Sequence, residues 1–350
     1  RLQGVLGGLI AGLLFVLPGA LVIFLLATLY VTFGDVPLVS TLFLGVQAVA
    51  VVIVIDALLK VSRRALTGTS HWVLAGLAFA GIYFFAVPFP IIVIAAGLYG
   101  AWAARAQDTD VTAPAVAVSG QQTLTTIVLG LAIWGGPLLL LDVAAGSPIL
   151  TDIGLFFSKL AVVTFGGAYA VLAYMAQDVV VDFNWLTATE MMDGLGLAET
   201  TPGPLILVTQ FVGYLAAFQE GGYGLAFTGG LVTLWVTFVP CFLWIFAGAP
   251  YIDWISAQPR LNGALKAITA AVVGVILNLS LWFALHVIFA MVSKTEIGVL
   301  TLWVPDVASL RWQALVLIAL AAILLLRLRL AIGWTLLVSA SAAFSLSVVT

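Results

Sequence analysis

The chain has 350 residues, 63% of them hydrophobic and 8% charged, with a net charge of −3 and a mean hydropathy of +1.24. Soluble domains carry about 25% charged residues, so too little polar surface exists here to cover a water-exposed globule, and nothing marks a nucleic-acid partner. One cysteine, Cys241, and two histidines, His71 and His286, exclude a disulfide framework and support no metal cluster or cofactor.

The first apolar stretch, 4–30, is too long for a signal-peptide core and reads as a spanning helix. Further windows of the length that crosses a bilayer fall at 39–59, 71–87, 89–104, 123–141, 222–247, 263–290, 312–326 and 328–348. Gly34-Asp35-Val36-Pro37 reads as a turn, and Pro88-Phe89-Pro90 parts two short helices. The stretch 105–122, with Asp108, Asp110 and Pro114, reads as an exposed linker.

Region 151–220 differs. Its apolar runs are interrupted at Thr164-Phe165-Gly166-Gly167, at Asp182-Phe183-Asn184-Trp185 and at Glu199-Thr200-Thr201-Pro202-Gly203-Pro204. Membranes tolerate broken helices only where protein or a water-filled cavity satisfies the freed backbone groups, so a functional site is expected here.

The sequence matches itself without gaps at an offset of 222: Gly7-Gly8-Leu9 falls on Gly229-Gly230-Leu231, Pro18 on Pro240, Ala48 on Ala270, and Asp56 on Asn278. The region that precedes the second copy would have its partner before residue 1, which predicts that the front of the first repeat, roughly 70 residues by the same offset, is missing. Lys60, Arg63, Arg64 and Arg105 lie at the C-terminal ends of the second and fourth helices, whereas Arg260, Lys266, Arg327 and Arg329 lie near the N-terminal starts of the corresponding ones; Lys294 and Arg311 are exceptions. Basic residues favour the cytoplasmic side, so the copies are expected to run in opposite directions, a known transporter architecture. The expected fold is an all-α polytopic membrane helix bundle of two inverted-topology repeats with broken helices near the midplane. Its parts are 1–106 (rear of the first repeat), 107–122 (linker), 123–149 (a connecting helix) and 150–350 (the second repeat).

Phe165-Gly166-Gly167, then Trp185-Leu186, then Pro202-Gly203-Pro204 with Phe211-Val212-Gly213-Tyr214, form an ordered set in which the chain resembles the chromate ion transporter family. The resemblance implies a secondary transporter exporting chromate across a bacterial inner membrane, driven by the proton gradient, with lipid, protons and a homodimer partner in view. The absent front motifs depart from the family's long two-domain type. Alternatives are a carrier of sulfate, molybdate or another tetrahedral oxyanion and, in another class, a non-transporting structural subunit. An enzyme is not expected: no nucleotide-binding loop and no serine–histidine or paired-aspartate arrangement stands in the apolar segments.

The residue chemistry agrees with an anion site. Behind Pro202-Gly203-Pro204, a helix over 205–218 directs free amides and its positive dipole end toward the break, and such ends bind oxyanions. Gly166 and Gly167 could present a second set. Candidate binding residues are thus Lys159, Thr164, Phe165, Gly166, Gly167, Thr200, Thr201, Pro202, Gly203 and Pro204, with Glu199 as the proton-coupling candidate. The bland alternatives are close packing for the glycines, helix capping for the threonines and snorkelling for Lys159. Asp56 reads as an ion pair with Lys60, Glu190 and Asp193 as a solvated helix face, and His286 as a packing residue.

Overall fold

The computed structural model describes residues 4–34, 36–107, 120–144, 146–163 and 167–349, and most of these are helical. In order come α1 (Gly4–Phe33), α2 (Pro37–Ala65), α3 (Thr69–Phe85), α4 (Phe89–Ala103), α5 (Gly120–Ala144), α6 (Pro148–Val163) and α7 (Ala168–Gln177). Then follow α8 (Ala188–Thr200), α9 (Val208–Gly248), α10 (Ile252–Ala257), α11 (Pro259–Ile288), a hairpin of β1 (Val292–Ile297) and β2 (Leu300–Pro305), α12 (Trp312–Ala322) and α13 (Ile332–Val349). Five segments among the described residues are long and apolar enough to cross a membrane: 4–33, 37–65, 120–141, 205–257 and 259–288. The shorter helices α3, α4, α12 and α13 are also apolar. The chain is therefore an all-α, multi-pass membrane protein. The helices aligned by the internal match, α2 and α11, both begin at a proline, 222 residues apart. Most of the expected linker, 108–119, lies outside the described residues.

The 41-residue α9 is long enough, at 1.5 Å per residue, to cross a bilayer about twice. It does not run straight. Gly221 (φ −155°) and Gly222 (φ 68°, ψ −161°) leave helical geometry, and Gly222 takes a left-handed φ that other residues rarely adopt. The two arms fold back on each other: a Cβ on Gly213 would lie 2.0 Å from Thr233 Oγ1, and one on Gly229 would lie 2.6 Å from Gly213 O. Glycines at such a contact let helix backbones approach closely in lipid, where packing replaces the hydrophobic effect.

The chain divides into two compact, sequence-discontinuous units: 1–27, 96–164 and 202–267 in the first, 28–95, 165–201 and 268–350 in the second. In the first, the α9 hairpin packs on α5, α6 and the front of α1. Trp235 Nε1 donates to Ile133 O (3.1 Å), Gly154 lets Leu138 and Val232 close on α6, and Gln210 Nε2 donates to Ala20 O (3.0 Å).

In the second unit, α2 packs against α8, α12 and α13. The core between them is two adjoining clusters, Val49, Val52, Ile53, Ala321 and Leu336, and Ala48, Leu317 and Ala343. Gly274 of α11 lies against the backbone of α3 at Ala75. His286 is a packing residue: its Nδ1 lies 2.8 Å from Trp282 O, and its ring is 4.2 Å from that of Trp282 and 5.6 Å from that of Trp303. The hairpin, a stretch left unassigned by the apolar windows, turns at Gly298 (φ 64°) with Ile297 paired to Leu300.

Candidate functional site

The last third of α2 sets the chemistry of the second unit. Residues 48–54 are buried and apolar, and then Asp56, Lys60 and Arg63 follow at spacings of four and three, which places them on one helix face. Lys60 pairs with Asp56, and its side chain remains 73% exposed. An exposed pair of this kind contributes at most about 1 kcal/mol, so Lys60 can leave it at little cost for another anion.

These three side chains line a cavity of about 990 Å³ together with Tyr169, Glu199 and Arg329. Its walls are otherwise apolar, with Ile53, Leu325 and Ile332 among them. Tyr169 stands on the first turn of α7, and its hydroxyl donates to Glu199 Oε1 at the end of α8 (2.8 Å). Arg329 follows a π-turn, Ile323–Arg327, and holds a left-handed backbone at φ 54°. The left-handed backbone costs energy in a non-glycine residue, and both features tend to gather at functional sites. The lining sums to three cations against two carboxylates, which suits an anionic guest with exchangeable partners.

A second polar cluster lies deeper. Asp193 of α8 is 3% exposed, and its carboxylate accepts one hydrogen bond from Tyr30 Oη (2.9 Å) and one from Gln47 Nε2 (2.8 Å). The sequence placed it with Glu190 on a solvated face; instead Glu190 closes a capping box with Thr187, and Asp193 turns inward. Removing this acceptor strands the buried Gln47 amide at about 1–3 kcal/mol and takes the carboxylate from the half-buried Tyr30 hydroxyl. Asp193→Ala is therefore expected to lower the melting temperature in detergent, with Asp193→Asn recovering part of the loss; an unchanged Asp193→Ala would refute the cluster's structural weight.

The residue pattern along the chain now has its counterpart among known proteins. The sequence profile of the chromate transporter family matches residues 1–101 and 151–345. The chain belongs to the chromate transporter family. These are membrane transporters, not enzymes. A chromate transport protein of Pseudomonas aeruginosa is 32% identical over 79% of this chain and 63% of its own length. A probable chromate transport protein of Synechococcus elongatus is 29% identical over 78% of this chain and 65% of its own. An uncharacterized transporter of Methanocaldococcus jannaschii is 23% identical over 82% and 69%. The chain thus spans somewhat less than two thirds of the length of the first two. No solved structure matches it.

Against this family background, the sequence-derived residues separate. Glu199 lines the cavity. Gly167 is the N-cap of α7 at φ 109°, with open space where a Cβ would stand, two residues before Tyr169. Thr164, Phe165 and Gly166 lie outside the described residues. Thr200 and Thr201 both donate their hydroxyls to Leu197 O (2.7 and 2.9 Å), which closes the end of α8. Pro202, Gly203 and Pro204 belong to the first unit, where they wedge against α1: a Cβ on Gly19 would lie 2.2 Å from Pro202 O. The helix behind them opens as a tight turn, Leu205–Leu207, whose Leu207 N–H donates to Pro204 O (3.0 Å). Lys159 is exposed on α6 of the first unit. Tyr169 carries no signal in the sequence, Arg63 and Arg329 read there only as orientation signals, and Lys60 reads as one of these and as the partner of Asp56. The spacing of Asp56, Lys60 and Arg63 at the end of an apolar run is the signal that could have found them.

Proposed function

We propose that this chain exports chromate across the bacterial inner membrane as a secondary transporter, holding the anion in the cavity of Lys60, Arg63 and Arg329. The observation that carries the proposal is this three-cation lining of a cavity at the end of apolar helices. A dianion leaves water only where opposite charge and donors replace its hydration, and charge-assisted hydrogen bonds from ammonium and guanidinium groups are the strong ones. The amides that open α7 at Gly167 are the natural complement. The relatives named as chromate transport proteins support the substrate.

Direction follows from charge. Lys60, Arg63, Arg64, Arg327 and Arg329 gather at one end of the second unit, which marks that end as cytoplasmic. Moving one charge through 100 mV is worth about 2.3 kcal/mol, so an inside-negative potential drives a dianion outward with about 4.6 kcal/mol per 100 mV on that scale. Two repeats of opposite topology are part of the same reading, supported by the proline starts of α2 and α11 and by basic residues at opposite ends of them.

Uptake of labelled chromate into everted vesicles, with the potential or the pH gradient collapsed separately, tests this reading. Energised uptake is expected, and vesicles that move sulfate but not chromate overturn the substrate. Glu199→Gln is expected to keep uptake while removing its response to collapse of the pH gradient. A response identical to wild type would remove Glu199 from the coupling.

A further inference from the structure

A second cavity lies at the other end of the same four helices. It holds about 380 Å³ and is lined by Ser40, Thr41 and Gln47 of α2, Thr189 of α8, and Arg311 and Gln313 at the start of α12, among others. Each helix thus contributes to both cavities with its opposite ends: α2 with Gln47 and Asp56, α8 with Thr189 and Glu199, α12 and its π-turn with Arg311 and Leu325, α13 with Ala343 and Ile332. Between them stands the packed core, whose Ile53 borders the first cavity and whose Ala343 borders the second. At 1.5 Å per residue, Gln47 to Asp56 is about 14 Å of helix, roughly half of the 30 Å hydrocarbon layer.

The chemistry of the second cavity is simpler than that of the first. Arg311 is half-buried, and among the described residues its guanidinium has no protein partner. The other polar lining groups are hydroxyls and amides, with no carboxylate among them. Asp193, whose Gln47 partner reaches this cavity, is covered by its two donors, Gln47 and Tyr30.

We infer that the Arg311 cavity is a second oxyanion subsite, which receives the same tetrahedral dianion on the face opposite the Lys60–Arg329 cluster. The inference rests on the carrier reading and adds the place where the anion stands before release. An unpaired guanidinium among neutral donors recognises such an ion by bidentate hydrogen bonding. The intervening core makes the step between subsites one that helix rearrangement must open.

Chromate is the probe, and half-saturation is measured separately at each face, in everted and right-side-out vesicles. Arg311→Gln is expected to raise it about tenfold or more on the far face only, as loss of one charge-assisted contact requires; Arg311→Lys recovers part of it. Gln313→Glu, which adds a carboxylate to the same cavity, weakens the far face as well. Equal effects on both faces, or none, overturn the subsite. Equilibrium binding to the purified chain scores the site independently of transport: wild type is expected to hold two chromates and Arg311→Gln one. If wild type binds two and Arg311→Gln loses one but nothing is transported, the carrier reading fails while the subsite stands. If transport is normal and Arg311→Gln still binds two, only the subsite fails.

Discussion

Replacing Lys60 and Arg329 together by glutamine is expected to reduce chromate uptake at low concentration about 100-fold or more. Each side chain offers one charge-assisted contact worth about 1.5–3 kcal/mol, and tenfold in affinity corresponds to about 1.4 kcal/mol. Neither residue holds the fold together. Lys60 stands in an exposed pair with Asp56, and Arg329 is exposed at the end of a π-turn. The double variant should therefore reach the membrane at wild-type level, which immunodetection checks. Arg64→Gln is the control, because Arg64 is a neighbouring cation that does not line the cavity. Arg329→Gly separates charge from geometry: it relieves the left-handed backbone at φ 54° and removes the guanidinium. If the charge matters, Arg329→Gly loses affinity like Arg329→Gln while the chain gains stability. Unchanged half-saturation in the double variant would show that the anion binds elsewhere.

The sequence revealed the membrane helices because lipid imposes a constraint that composition alone expresses: twenty apolar residues without charge have one stable arrangement. Each apolar window has a helix, and Pro37, Pro88 and the Gly34 turn stand at the ends they predicted. What composition does not express is which helix meets which. Asp193 and Glu190 look like one polar face at a spacing of three, yet the groups that draw Asp193 inward, Tyr30 and Gln47, are 163 and 146 residues away. Pro202-Gly203-Pro204 reads the same whether a hollow or a neighbour lies beside it, and nothing in the sequence shows that Gly19 of α1 lies against Pro202 O. The hairpin at 292–305 escaped because apolar windows of helical length do not register six-residue strands. Glu199 was legible as a charge beside a break, but Tyr169, its partner, carried no signal of its own.

Gly45→Val is expected to cost more stability than any other single change considered above. A Cβ at Gly45 would lie 2.5 Å from Ser339 O and 2.7 Å from Ala340 Cα. Both are backbone atoms of α13, so no rotamer change relieves the clash. The helices must separate, and they are the two that carry Ala48 and Val49 against Ala343 and Leu336 in the core between the cavities. Overpacking of a well-packed core costs about 1–3 kcal/mol and occasionally more, and here the backbone contact offers no soft neighbour. Thermal unfolding of the detergent-solubilised chain, followed by size exclusion, should show a lower midpoint for Gly45→Val and a smaller drop for Gly45→Ala. Gly76→Ala is the counterpart, since nothing lies within 4 Å of its Cβ position on α3. There alanine should be neutral or stabilising, by up to about 1 kcal/mol of helix propensity. A Gly45→Val chain that melts with wild type would mean that α2 and α13 are not in contact at this point. Folded molecules that survive the change should leak chromate down its gradient, because the wedge parts the core that separates one cavity from the other.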